Sequence, residues 1–234
     1  MLYPQMNKCR SLYSLDGIWQ FCADRSENTF DNISSCDLPN ARNIAVPASW
    51  NDQYEDLFQF HGKGIYKKEF DVPQMWHGQE IYIRFGSVSG KAKVWINGKY
   101  LMEHIGTALP FEAVITPYLK FGEKNTVVVL ADSTLDPWSL PPATLMENEG
   151  RMGFAQSYPA VPYDFFPFGG IQRSVYLYTS PKTRIEDITI VSEINNKTAE
   201  VQFTVELSNS FTGRLEAEAD GKVVNICCKN TNSV

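Results

Sequence analysis

The sequence has no cluster of lysines or arginines, no long apolar run and no sustained helical periodicity. Its 21 Lys and Arg are outweighed by 27 Asp and Glu, for a formal charge of −6. Without a basic patch there is no electrostatic footprint for nucleic acid. No stretch approaches the roughly 20 consecutive apolar residues of a membrane-spanning helix, and Met1 to Leu15 carry charges where a secretory signal has an apolar core. Cysteine is scarce and odd in number, and Cys9, Cys22, Cys36, Cys227 and Cys228 form no C-x-x-C pair. Reduced thiols in a cytoplasmic protein are the simplest expectation, under which the sequons Asn32-Ile33-Ser34 and Asn196-Lys197-Thr198 carry no meaning. The histidines His61, His77 and His104 are scattered, with no spacing suited to a metal or to a nucleophile and its base. No metal and no cofactor is expected.

What the chain does contain is a regular series of short alternating runs. Gly17-Ile18-Trp19-Gln20-Phe21 follows a turn, and Gly64 to Val72 is stopped by Pro73. Glu80 to Phe85 and Lys91 to Ile96 come next, and Asn97-Gly98 is the strongest short hairpin signal available before Lys99 to Glu103 returns. Phe111 to Ile115 and Asn125 to Asp132 complete the series. Residues 24 to 45 read as polar and irregular. Many short strands with Gly, Pro and Asn turns, and no apolar stripe at i, i+3, i+4, i+7, predict an all-β sandwich of the jelly-roll kind. Trp19, Trp50 and Trp95 are expected in its core.

Residues 133 to 162 break the pattern with a proline-stiffened connection containing Trp138, a candidate interface residue. Glu147 to Gly150 within it reads as a solvated acidic turn. Then comes Tyr163-Asp164-Phe165-Phe166-Pro167-Phe168-Gly169-Gly170-Ile171-Gln172-Arg173, leading into the strand-like Ser174 to Tyr178. Ring surface beside glycines that permit close backbone approach predicts a packed loop. Its carboxylate is the best single candidate for ligand contact, the plain alternatives being a turn cap or an ion pair with Arg173. Phe165, Phe166 and Phe168 are expected to hold the loop, and Tyr163 to share a contact beside Asp164.

Pro181 reads as a boundary, giving one domain over 1–181 and a second over 182–234. Beyond it Arg184 to Val191, Ala199 to Leu207, Gly213 to Glu218 and Lys222 to Ile226 alternate apolar and polar as four strands of a sheet with one wet face. The 53 residues from 182 to 234 fall short of the roughly 100 of an immunoglobulin-like sandwich, so the second domain is expected to be incomplete. Its uncovered apolar positions Ile188, Ile190, Val201, Phe203 and Val205 predict self-association, making the protein a homo-oligomer.

The order of Leu15-Asp16-Gly17-Ile18-Trp19, Val46-Pro47-Ala48-Ser49-Trp50-Asn51-Asp52, Val94-Trp95-Ile96-Asn97-Gly98, Pro141-Pro142 and Asp164 through Arg173 resembles the N-terminal region of family 2 glycoside hydrolases. Met1-Leu2-Tyr3-Pro4 and Asn51-Asp52-Gln53 place the likeness nearest the β-glucuronidase branch. The resemblance implies a galactose-binding-like jelly roll, an immunoglobulin-like sandwich and then a TIM barrel carrying two catalytic glutamates. It implies further that Asp164, with Tyr163 beside it, reaches into the barrel's pocket and binds hydroxyls of the terminal sugar. The chain departs from the pattern at Ile105 to Phe111, where relatives have Gly-Gly-Tyr-x-Pro-Phe, and at Tyr163, where many β-glucuronidases have His. A barrel takes about 250 residues, and every stretch here is already used by strands. Retaining hydrolysis needs two carboxyl groups about 5 Å apart, so the parent is expected to be an O-glycosyl hydrolase and this chain to hold no catalytic residue. A stand-alone carbohydrate-binding module, or a structural scaffold that drives oligomerisation, is the alternative.

Overall fold

The computed structural model describes residues 3–24, 38, 40–138, 140–144, 161–196 and 198–233. Cys36, the sequon at Asn32 and the acidic turn Glu147 to Gly150 lie outside the described residues. The chain divides into two compact units, Met1–Thr179 and Ser180–Val234.

The first unit is built from β1 (Leu12–Ser14), β2 (Gly17–Asp24), β3 (Arg42–Val46), β4 (Lys63–Phe70), β5 (Glu80–Val88), β6 (Lys91–Ile96), β7 (Lys99–Ile105), β8 (Phe111–Val114), β9 (Asn125–Asp132) and β10 (Ile171–Ser180). Three single turns of 3₁₀ helix punctuate them, and no α-helix occurs among the described residues. One sheet has four strands in the order β1-β10-β5-β8, the other six in the order β3-β2-β4-β9-β6-β7. This is the expected jelly-roll sandwich. The period of two fills the space between the layers: Trp19 and Phe21 from β2, Ile81, Ile83 and Phe85 from β5, Val94 and Ile96 from β6, and Val175 and Leu177 from β10 join one buried cluster. Ile18, one residue out of phase, is 58% exposed.

Three sequence readings are corrected. Arg42–Val46 is a strand, antiparallel to β2, with Ile44 and Val46 buried and Asn43 on its other face. Leu12–Ser14 is a short strand on β10 that the pattern did not reveal. Trp95 lies on the outer face of the six-stranded sheet, half-buried on Ile65, Val128 and Leu130 instead of in the main core. Asn97-Gly98 does form a hairpin turn, both residues having positive φ (50° and 77°). It is also more than a turn. The Asn97 amide donates to Tyr118 O and Asn125 Oδ1, each at 2.8 Å, and its oxygen accepts from the Thr126 N–H.

The outer face of the four-stranded sheet carries the alternate set: Tyr82 and Arg84 of β5, Glu112 of β8, Tyr176 and Tyr178 of β10. Arg84, with 4% of its side chain exposed, donates to Glu112 at 2.7 Å across the β5–β8 pair. Tyr82 and Tyr178 stack at 4.8 Å, and the N-terminal segment lays Tyr3 edge-on against Tyr176 at 5.5 Å. Burial, with the Glu112 charge second, pushes the Tyr178 hydroxyl well above its ordinary pKa.

The second unit is a single sheet of three antiparallel strands, β11 (Ile185–Asn195), β12 (Thr198–Ala219) and β13 (Lys222–Ser233). The second and third strands expected from the sequence are one 22-residue strand. The residues between them form no turn; register shifts between Glu206 and Gly213 absorb the irregularity as bulges. Ile188 faces Val205 and Ile190 faces Phe203 across β11 and β12, and both isoleucines are at least half exposed.

Removing one partner of the Arg84–Glu112 pair strands a buried guanidinium. Glu112→Ala is expected to destabilise the first unit by about 3 kcal/mol in urea unfolding, whereas the double change Arg84→Met, Glu112→Leu is expected to recover most of it.

Candidate functional site

The Tyr163–Gly170 loop is held by the segment Ala48–Phe60. Backbone bonds run from Ala48 N–H to Ile171 O (3.0 Å), from Trp50 N–H to Gly169 O (3.2 Å) and from Ser89 N–H to Gly170 O (2.9 Å). The buried side chain of Asn51 is the joint. Its amide nitrogen points at the carbonyls of Leu57, Phe58 and Phe60 (2.8, 3.1 and 3.1 Å), and its oxygen accepts the Gly169 N–H at 2.8 Å. Gln53 fixes the approach to it, accepting from Ala45 N–H at 2.7 Å and donating to Ala45 O and Ser49 O. Neither residue was singled out for this role from the sequence. In the sequence Asn51 stands between Trp50 and the polar Asp52 and Gln53, which gives it no local mark.

The glycine pair exists because aromatic faces press on it. A Cβ on Gly169 would fall 2.3 Å from the Trp50 indole, and one on Gly170 2.5 Å from the Tyr66 hydroxyl. Gly170 also has φ +112°, which side chains disfavour. Trp50 in turn packs on Phe21, Phe60 and Tyr66, with ring centroids 5.7–6.3 Å away. Further along the loop, Phe166 lies against Phe58 (5.4 Å), Phe168 (4.7 Å) and His61 (6.1 Å), and Tyr163 stacks on Phe165 at 4.1 Å. Phe166 is half-buried, while Phe165 and Phe168 stay 53% and 41% exposed. The rings therefore both anchor the loop and offer surface.

Asp164 is exposed, and no hydrogen bond or ion pair ties it to any described residue. It neither caps the turn nor pairs with Arg173, which is also exposed and unpaired among the described residues. Beneath the loop lies a cavity of about 270 Å³ walled by Tyr163, Phe165 to Phe168, Arg173 and a hydroxyl-bearing floor from Ser87, Ser89, Thr107, Ser133 and Thr134. Asp164 is not on its wall. Trp138 is 93% exposed in the connection, apart from the cavity wall. His77 and His104 are ring-packed on Phe121 and Phe111.

His61 packs beside the loop against Phe166. Neither ring nitrogen has a partner among the described residues, and burial lowers its pKa from 6.5. The unfolded chain then takes up a proton more readily than the folded one, so this contribution to stability is present above pH 6.5 and is lost as pH falls through the folded value. Melting temperature is expected to fall between pH 7.5 and 5, with a shallower fall in His61→Phe. The packing claim has its own check: Gly169→Ala is expected to cost about 1–3 kcal/mol of stability by denaturant titration, although its backbone is not strained.

The chain matches the profile of "Glycosyl hydrolases family 2, sugar binding domain" over residues 12–181. It is 33% identical to the β-glucuronidase of Rattus norvegicus and 32% identical to that of Homo sapiens, in each case over 96% of this chain and 38% of the relative. Among solved structures, an uncultured Clostridium sp. β-glucuronidase superimposes with a TM-score of 0.77 at 28% identity, covering 99% of this chain and 41% of that one. The Bifidobacterium dentium β-glucuronidase complexed with coumarin-3-O-glucuronide gives 0.77 at 29% identity, covering 100% and 42%. The chain thus spans about two-fifths of the length of the proteins it matches. With its jelly roll and its ordered loop in this matched stretch, the chain belongs to the family 2 glycosyl hydrolases through their sugar-binding domain.

Proposed function

We propose that this chain is the N-terminal, non-catalytic part of a β-glucuronidase-type exo-glycosidase. The Tyr163–Gly170 loop lends Asp164 to a sugar site whose acid/base and nucleophile lie in a TIM barrel outside these residues. The observation that carries the reading is the contrast within one loop. Its backbone and rings are fixed by Asn51, Trp50 and Phe58, while its carboxylate makes no bond to any described residue. An ionised carboxylate held on a rigid base, with its lone pairs free, accepts sugar hydroxyls without first breaking internal bonds. Tyr163 stacks on Phe165 with its hydroxyl buried, and supports the loop beside Asp164. The similarity to enzymes named β-glucuronidase, one of them solved in complex with D-glucuronic acid, supports a glucuronide as substrate. The thiols of Cys9, Cys227 and Cys228, in no disulfide among the described residues, support a reducing, cytoplasmic setting.

In an enzyme carrying this unit on its catalytic barrel, Asp164→Ala is expected to lower kcat/KM for an aryl glucuronide by roughly 10- to 100-fold. That follows from the loss of charge-assisted hydrogen bonds worth about 1.5–3 kcal/mol. Thermal stability is expected to stay within about 0.5 kcal/mol, since the side chain is exposed. Unchanged kcat/KM would remove Asp164 from the sugar site.

A further inference from the structure

We infer that His61 is a pH-operated clasp on the Tyr163–Gly170 loop: the neutral ring completes the packing against Phe166, and protonation releases the loop. The chain on either side of His61 is pinned. Phe60 O accepts from the Trp50 indole N–H at 3.2 Å and from the Asn51 amide at 3.1 Å, and Gly62 O accepts the Ser133 N–H at 2.9 Å. The imidazole therefore moves only about its own side-chain bonds. Its centroid lies 6.1 Å from that of Phe166, which also meets Phe58 at 5.4 Å and Phe168 at 4.7 Å. Phe168 precedes Gly169, whose N–H is held by Asn51. A displacement of the imidazole is felt first at Phe166 and next at the Gly169 joint.

Protonation forces that displacement. Both ring nitrogens are buried with no partner among the described residues. The neutral ring leaves one donor and one acceptor unmet, whereas the imidazolium leaves two donors unmet and takes a full charge out of water. The charged groups on the surrounding elements are Glu55 and Asp56 of the turn before it, Lys63 of β4, Asp132 of β9 and Asp164 of the loop. Asp56 is engaged by Arg42 at 2.9 Å, Asp132 accepts the Thr134 N–H at 3.0 Å, and none of the five bonds His61. Burial is the one cause of its lowered pKa. Phe166 gives no compensation, since its centroid stands at the outer limit of about 6 Å for a cation–π contact. A charged His61 must reach water, by rotating outward or by admitting water beside Phe166, and either course takes an aromatic neighbour from the loop. With the loop open the ring has its ordinary pKa of 6.5, and with the loop closed a lower one. Opening therefore grows as pH falls from above 6.5 through the closed-loop value. The clasp stands on geometry alone. Its consequence, a sugar contact at Asp164 that weakens in acid, rests on the proposed function.

The test follows amide exchange by NMR in the 234-residue chain, as protection factors corrected for the intrinsic pH dependence of exchange. Between about pH 7.5 and 5.5, protection of the Trp50 and Gly169 N–H groups is expected to fall about three- to tenfold more than that of Val129 in the β9 core. The midpoint of that excess fall is expected to coincide with the titration of the His61 ring in the same samples. In His61→Phe the excess is expected to vanish. The inference is overturned by no excess fall at Gly169, by the same excess in His61→Phe, or by a midpoint more than about half a pH unit from the His61 titration. Should His61→Phe fail to fold, the two midpoints in the unsubstituted chain still decide. No sugar enters these measurements, so a pH-invariant Gly169 leaves the Asp164 kinetics untouched, and failure of those kinetics leaves the clasp untouched.

Discussion

One buried amide governs the geometry of the site. Asn51 sends its nitrogen toward three carbonyls in Leu57–Phe60 and receives Gly169 N–H on its oxygen, so two segments 118 residues apart in sequence are fixed through a single side chain. Carbonyls at a tight turn cannot all be satisfied by the sheet ladders, and buried ones cost free energy if left alone. An asparagine is suited to that place because it carries donor and acceptor on one planar group. Aspartate would lose the donors, leucine both. The Ser49 hydroxyl, 3.0 Å from Asn51 Oδ1 and 3.1 Å from Gly169 O, reinforces the same joint.

That polar joint needs a close steric approach, and the aromatic core provides it. Trp50 lies flat enough on the chain that Gly169 has no room for a methyl group, and Tyr66 treats Gly170 likewise. The indole N–H donates to Phe60 O at 3.2 Å, returning to the carbonyl that Asn51 also meets. Hydrogen bonding and ring packing therefore fix the same two turns from opposite sides. The consequence for function is positional. A loop anchored at its glycines and at Phe166 can present a neighbouring side chain with little ordering cost on binding.

The sequence made some of this legible and hid the rest for physical reasons. Alternation marked β2 and β4, while β9 showed as a continuous apolar run, Val127 to Ala131, because it is buried on both faces. β3 escaped because its two buried residues, Ile44 and Val46, are too few to set a phase against Arg42 and Asn43. β12 was divided at Ser208 to Thr212 because polar residues there look like a turn, whereas a bulge keeps the chain in one strand. A strand-like run around Trp95 suggests the core, but its phase opposes Val94 and Ile96, and phase decides the face. The aromatic, glycine-bearing loop and its lone carboxylate were visible as a composition. Its partner Asn51 was not, because a contact across 118 residues leaves no local trace.

The unpaired state of Asp164 and Arg173 is the feature that structural economy alone does not account for. An exposed ion pair between them would be worth only about 0–1 kcal/mol, so nothing in folding demands it. By the same measure nothing in folding demands that Asp164 stand on a loop whose backbone is held by Asn51 and Trp50. Flexible surface charges elsewhere, such as Lys124 with Asp71 at 2.5 Å, find each other across the surface. Here the backbone is fixed by Asn51 and the glycine pair, so the Asp164 charge is kept near its place without a partner's help. A carboxylate held on a fixed backbone, with no partner to neutralise it, is what acceptance of a polar molecule's hydroxyls requires.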